Sequence, residues 1–171
     1  MKSIQFIQMA LDELHRSLRA EVRELTQEQL TYRPTSEANT IAFLLWHFMR
    51  TEDSVIHRSV RELGPSVWEA QKWDERLGLS PGDSGTGFTA AQVGAFRPAK
   101  DDLLAYVRAA WEASDAAIAA LSEADLDRVL DPERPQRTVG QVIQSIIVGH
   151  GYYHLGEIRF LKGLQGMPFV R

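Results

Sequence analysis

Residues 138–166, TVGQVIQSIIVGHGYYHLGEIRFLKGLQG, constrain what this chain can fold into more than any other stretch. A helix turns roughly 100° per residue, which puts His150 and His154 on one face, a turn apart. Ile143, Ile146, Ile147 and Leu161 fall on that face, and so does Glu157. Two imidazoles and a carboxylate therefore project from the stripe that an amphipathic helix buries. Buried polarity without partners is costly, so either neighbouring side chains satisfy it or a metal ion does. His-x-x-x-His on one helix presents two nitrogens to one ion. A third ligand has to arrive from elsewhere, and the fold has to carry it there.

The remaining apolar periodicity supplies partners for that helix. Ile4, Ile7, Leu11, Leu14, Leu18, Val22 and Leu25 recur three or four apart, a helix over residues 3–25. Pro34, Ser36 and Asn39 mark a loop, and Asn39 or Thr40 can cap a second helix running to Gly64. Its apolar arc is Ile41, Leu44, Leu45, Phe48 and Val55, with His47 on one flank and Glu52 inside the arc. Residues 64–88 read as an irregular crossover whose Trp68 and Trp73 pack it over one end of the molecule. Pro98 breaks a short turn that opens at Thr89. A third long helix follows over residues 99–121, buried through Leu103, Leu104, Val107, Trp111, Ile118 and Leu121. Thr138 and Gln141 form a capping box for the last helix, and Gly163 and Gly166 end it. Four long helices and no strand predict an all-α four-helix bundle, one domain over residues 1–171.

Composition narrows the function. The net charge of −4, with no basic block, argues against a nucleic-acid surface. With no cysteine, the chain has no disulfide, no zinc–thiolate site and no thiol nucleophile of its own, so any thiol chemistry uses an external thiol. No apolar run is long enough to span a bilayer, and the amphipathic N-terminus lacks a signal peptide's apolar core, so a cytoplasmic protein is expected.

His47, on the second helix, can complete a three-histidine set in a bundle core. Three histidines leave a fourth tetrahedral position open, the arrangement of catalytic sites. The competing reading is three core histidines bonded to Glu52, Glu157 and backbone carbonyls. LLWHFMRTED, followed far along the chain by HGYYHLGEIRFLKGLQG, resembles the DinB/YfiT-like superfamily of metalloenzymes. The likeness extends over nearly the whole chain, including the crossover WDERLGL…GTG. The resemblance implies an up-down-down-up four-helix bundle, a divalent ion on His47, His150 and His154, and frequent homodimers. It also implies, for some members, metal-dependent transfer or isomerisation with a low-molecular-weight thiol such as mycothiol or bacillithiol. The family shares only a name with the DinB DNA polymerases.

Around the ligands, Glu157 can be a fourth ligand, an acceptor for an imidazole N–H, or the partner of an arginine; the acceptor role is expected. Glu52 has the same options, with a core ion pair as the competing reading. Tyr153 is the candidate contact for a small electrophilic substrate, and packing is its alternative. Arg50, Arg159 and Arg33 are the basic residues near enough in sequence to serve an acidic cosubstrate. His15 is expected on the surface and His57 on the polar side of its helix. Trp46 and Met49 lie off the apolar arc and are expected to mark a homodimer surface. Three imidazoles accept zinc, nickel, iron or copper, with zinc and nickel expected first. Hydrolysis on the same ion, or a non-enzymatic stress-related metal-binding dimer, are the alternatives to thiol transfer.

Overall fold

Leu11, Leu14, Leu18 and Val22 form the buried face of the first helix, α1 (Ser3–Val22). The computed structural model describes residues 2–62 and 64–168. Met1, Leu63 and residues 169–171 lie outside it, and with them the ends of the expected 1–171 domain and the last residue expected in the second long helix. A single turn, α2 (Gln27–Leu30), follows within the stretch read as loop. Thr40 then caps α3 (Ile41–Val55), its hydroxyl accepting the Phe43 N–H at 3.0 Å. This helix widens into a π-helical turn, Ile56–Val60. Two short helices, α4 (Val67–Ala70) and α5 (Trp73–Leu77), give the crossover more regularity than expected, and α6 (Ala90–Ala95) follows. The long α7 (Lys100–Ala119) and the short α8 (Glu123–Leu126) come next. Thr138 caps α9 (Val139–Val142), which passes through a π-helical stretch, Ile143–Gly149, into α10 (His150–Leu164).

The fold is all-α; among the described residues the sole β feature is an isolated antiparallel bridge between Val129 and Thr138. Among the described residues no helix is long and apolar enough to cross a membrane. Helix α1 packs against α7 and α10, and α3 packs against the same two. This makes α3 and α10 neighbours, as a shared three-histidine site requires. Leu14, Leu18, Leu45, Phe48, Val107, Leu155 and Ile158 share one apolar cluster between these helices. Ile56, Ile118, Ile143 and Ile147 share a second one.

Asp53 explains how the crossover is anchored. Its carboxylate is fully buried on α3. It accepts the Val67 and Trp68 N–H groups at 2.9 Å each, and the Tyr106 hydroxyl at 3.2 Å. A buried anion thus holds the first N–H groups of α4 and ties α3, α4 and α7 together. Ser66 and Glu69 cap α4 reciprocally, a helix start inside the stretch expected to be irregular. Trp68 and Trp73 are buried as expected, both against Tyr106. Trp46 and Met49 are not on the surface: both are fully buried, because Trp68, Phe88 and Phe96 from the crossover and its continuation cover the Trp46 ring.

Two histidines depart from expectation. His57 is buried, its Nδ1–H donating to the Asp53 carbonyl at 2.9 Å. His15 is buried too, stacked on Trp111 with its ring nitrogens 3.1 Å from Glu52 and 3.3 Å from Asp115. Burial opposes its charge, but Glu52 and Asp115 together outweigh burial and raise His15 to about 9. The folded value lies above the ordinary 6.5, so this stabilisation is complete below pH 6.5 and is lost as pH rises through about 9. Urea unfolding at a series of pH values should show a loss of about 3 kcal/mol across that window. His15→Gln should flatten it; an unchanged slope in that variant would assign the loss elsewhere.

Candidate metal centre

One close approach sets the site. Gly151 follows His150, and a Cβ there would lie 2.4 Å from Leu14 Cδ2 and 2.6 Å from Phe48 Cζ. Having no side chain at this point lets α10 press against α1 and α3 where the histidines start. His47, His150 and His154 then each offer a nitrogen, and these atoms lie within 4.8 Å of one another. The three rings meet edge to face, His150 and His154 with centroids 4.3 Å apart and His47 5.2 and 5.3 Å from them.

Two of the rings are held from behind. The Nδ1–H of His47 donates to the Ser84 carbonyl at 2.5 Å, and Phe43 stacks flat on the ring. The Nδ1–H of His154 donates to Glu157 at 2.5 Å. Each bond selects the tautomer whose Nε2 carries a free lone pair, the usual support for a ligating histidine. Ser84 reaches His47 because Gly85 takes a left-handed φ of +84°, and a Cβ there would meet Trp46 at 2.9 Å and His47 at 3.0 Å.

The cluster is not self-satisfying when neutral. His150 Nε2 faces His154 Nε2 at 2.7 Å, and the buried Nδ1 of His150 has only the Ile146 carbonyl opposite it. If Nδ1 of His150 carries the proton, two Nε2 lone pairs confront each other. If Nε2 carries it, a lone pair confronts the carbonyl. A metal ion would resolve the conflict: with the His150 proton on Nδ1, facing the Ile146 carbonyl, the ion would take the inward lone pairs. Burial first, then the neighbouring His154 and His47, press His150 down to about 4, and burial also lowers His47. Neutral imidazoles at physiological pH are what a divalent ion requires. The donor set fits such an ion, with nitrogens suited to zinc, nickel, iron or copper.

Glu157 comes to the cluster, on His154. Glu52 does not: five residues past His47 on a helix it is turned roughly 140° away, and its carboxylate is engaged with His15. Tyr153 borders the site, largely exposed, with its ring edge-on to His154 at 5.5 Å. The parts missed in sequence are the Ser84 carbonyl and Gly85; a backbone acceptor has no residue signature, and a glycine in a Gly/Ser-rich run does not announce which ring it touches.

A crystal structure of a conserved protein from Enterococcus faecalis has the same fold, with a TM-score of 0.81 over 96% of this chain and 97% of that one, at 21% identity. No curated protein matches the chain in sequence. The family model described as the DinB superfamily matches residues 10–158, a span that runs from α1 into α10 and takes in His47, His150, His154 and Glu157. A match over most of the chain, with the site inside it, identifies the family: the chain belongs to the DinB superfamily.

Proposed function

We propose that this protein is a divalent-metal-dependent enzyme, built as an up-down-down-up four-helix bundle, that uses an external low-molecular-weight thiol on a small electrophile. The observation that carries the reading is the convergence of three imidazoles from α3 and α10, two of them with their outer nitrogens already committed to Ser84 and Glu157. Family membership supports it. A divalent ion there supplies Lewis acidity that lowers the pKa of a thiol or water brought to its open side. The chain's own contribution is orientation. Ser84 and Glu157 hold the Nδ1 protons of His47 and His154, so both Nε2 lone pairs stay inward. Tyr153 offers an exposed ring at the edge of the site for the substrate. Substrate loss that needs both metal and added mycothiol or bacillithiol is expected; turnover with metal and water alone would contradict thiol transfer and indicate a hydrolase.

The reading includes a homodimer. Among the described residues, the exposed large apolar side chains do not include Trp46 or Met49; they include Phe6 and Met9 on α1, and Tyr152, Phe160 and Leu164 on α10. Light scattering at twice the 19.3 kDa chain mass is expected, and a monomer at micromolar concentration would contradict it.

A further inference from the structure

Among the described residues, Arg50 stands apart from the other buried charges. It is 4% exposed, and its Nε has no hydrogen-bond partner. Among the described residues its guanidinium makes no ion pair; it lies over the Trp68 ring at 5.0 Å. The acids nearest in sequence are already engaged, Glu52 with His15 and Asp53 with α4 and Tyr106. A buried guanidinium without a counter-ion is costly, and such a group calls for an explanation.

The explanation lies in the space beside it. Arg50 lines a cavity of about 420 Å³ together with Ser54, Arg58, Glu69 and Ser84, a volume suited to a small molecule. Arg58 and Glu69, both in its wall, pair with each other. Their charges cancel, so the cavity keeps the single positive charge of Arg50. A planar, singly charged anion that accepts two parallel N–H bonds matches a guanidinium best. A doubly charged phosphate would leave excess negative charge there.

We infer that this cavity is a binding site for the carboxylate of a small organic acid, with the Arg50 guanidinium as its anchor. The site is distinct from the histidine cluster: none of His47, His150 and His154 lines it. The two share one wall: Ser84 lines the cavity and its carbonyl holds His47. The inference does not depend on metal binding, so its test uses the chelator-treated full chain.

Sodium acetate, sodium benzoate and sodium phosphate are each titrated into labelled protein at matched ionic strength, following the Arg50 Nε–H and Ser84 amide resonances. Saturable shifts with the carboxylates are expected, with benzoate raising the melting temperature. Arg50→Met should weaken benzoate by about tenfold or more, the loss of a charge-assisted pair, and should abolish the melting shift. Three outcomes overturn the proposal: no saturable shift in the wild type, an unchanged midpoint in Arg50→Met, or phosphate binding more tightly than either carboxylate. The wild-type titration decides alone if the variant does not fold.

Discussion

His150→Ala is expected to leave the chain folded and without stoichiometric metal. His150 Nε2 sits 2.7 Å from His154 Nε2, so the two nitrogens are the closest pair in the cluster and removing one opens the site on α10. His47 and His154 remain, on different helices, and two imidazoles do not make a tight divalent site. The fold should tolerate the change. His150 is only half-buried, and burial first, then His154 and His47, already hold its pKa down to about 4, so no buried charge is lost with it. Metal that binds the folded chain stabilises it by mass action, about 4 kcal/mol when the free ion is about a thousand times its Kd. Chelation should therefore lower the wild-type melting temperature by several degrees and leave His150→Ala unmoved. Glu157→Gln is expected to fall between them, about 10–100-fold weaker for metal, because it loosens the hold on His154 Nδ1. His57→Ala should keep its metal and lose some stability, since its contact is with the Asp53 carbonyl. His150→Ala that still holds one ion per chain with wild-type affinity would return the histidines to the status of core residues.

Asp53→Ala should be the most damaging single change to the fold, about 3–5 kcal/mol, as expected for breaking a buried charged network. It orphans the Val67 N–H, the Trp68 N–H and the Tyr106 hydroxyl together. Asp53→Asn should cost less. Val67 binds one carboxylate oxygen while Trp68 and Tyr106 bind the other, and an amide can accept on one side only. Denaturant midpoints measure both; a loss under about 1 kcal/mol for the alanine variant would show that the network contributes little.

The helical architecture was legible because it rests on periodicity. Leucines three and four apart on α1, the Thr40 and Thr138 caps, and Pro98 each leave local marks. The His150–His154–Glu157 spacing was legible for the same reason, since all three lie on one regular helix, α10. What escaped depends on partners distant in the chain. His15 looks exposed among its polar neighbours until Glu52 and Asp115 arrive from α3 and α7. Trp46 looks stranded off its arc until the crossover covers it with Trp68. Glu52 looked like a candidate for the metal site because it falls inside an apolar arc, yet an arc does not say which neighbour takes the charge. The π-helical stretches, one of them directly before His150, leave no pattern that a fixed helical period can reveal.

The central claim is that His47, His150 and His154 hold one divalent ion. The direct test is metal analysis, together with X-ray absorption at the metal edge, of the chain made without a histidine tag and reloaded with zinc or nickel after chelation. One ion per chain, with histidine nitrogens in its first coordination sphere and release on acidification as the imidazoles protonate, is the expected result. A folded chain that takes up neither metal, or an ion whose coordination sphere contains no imidazole, would contradict the account.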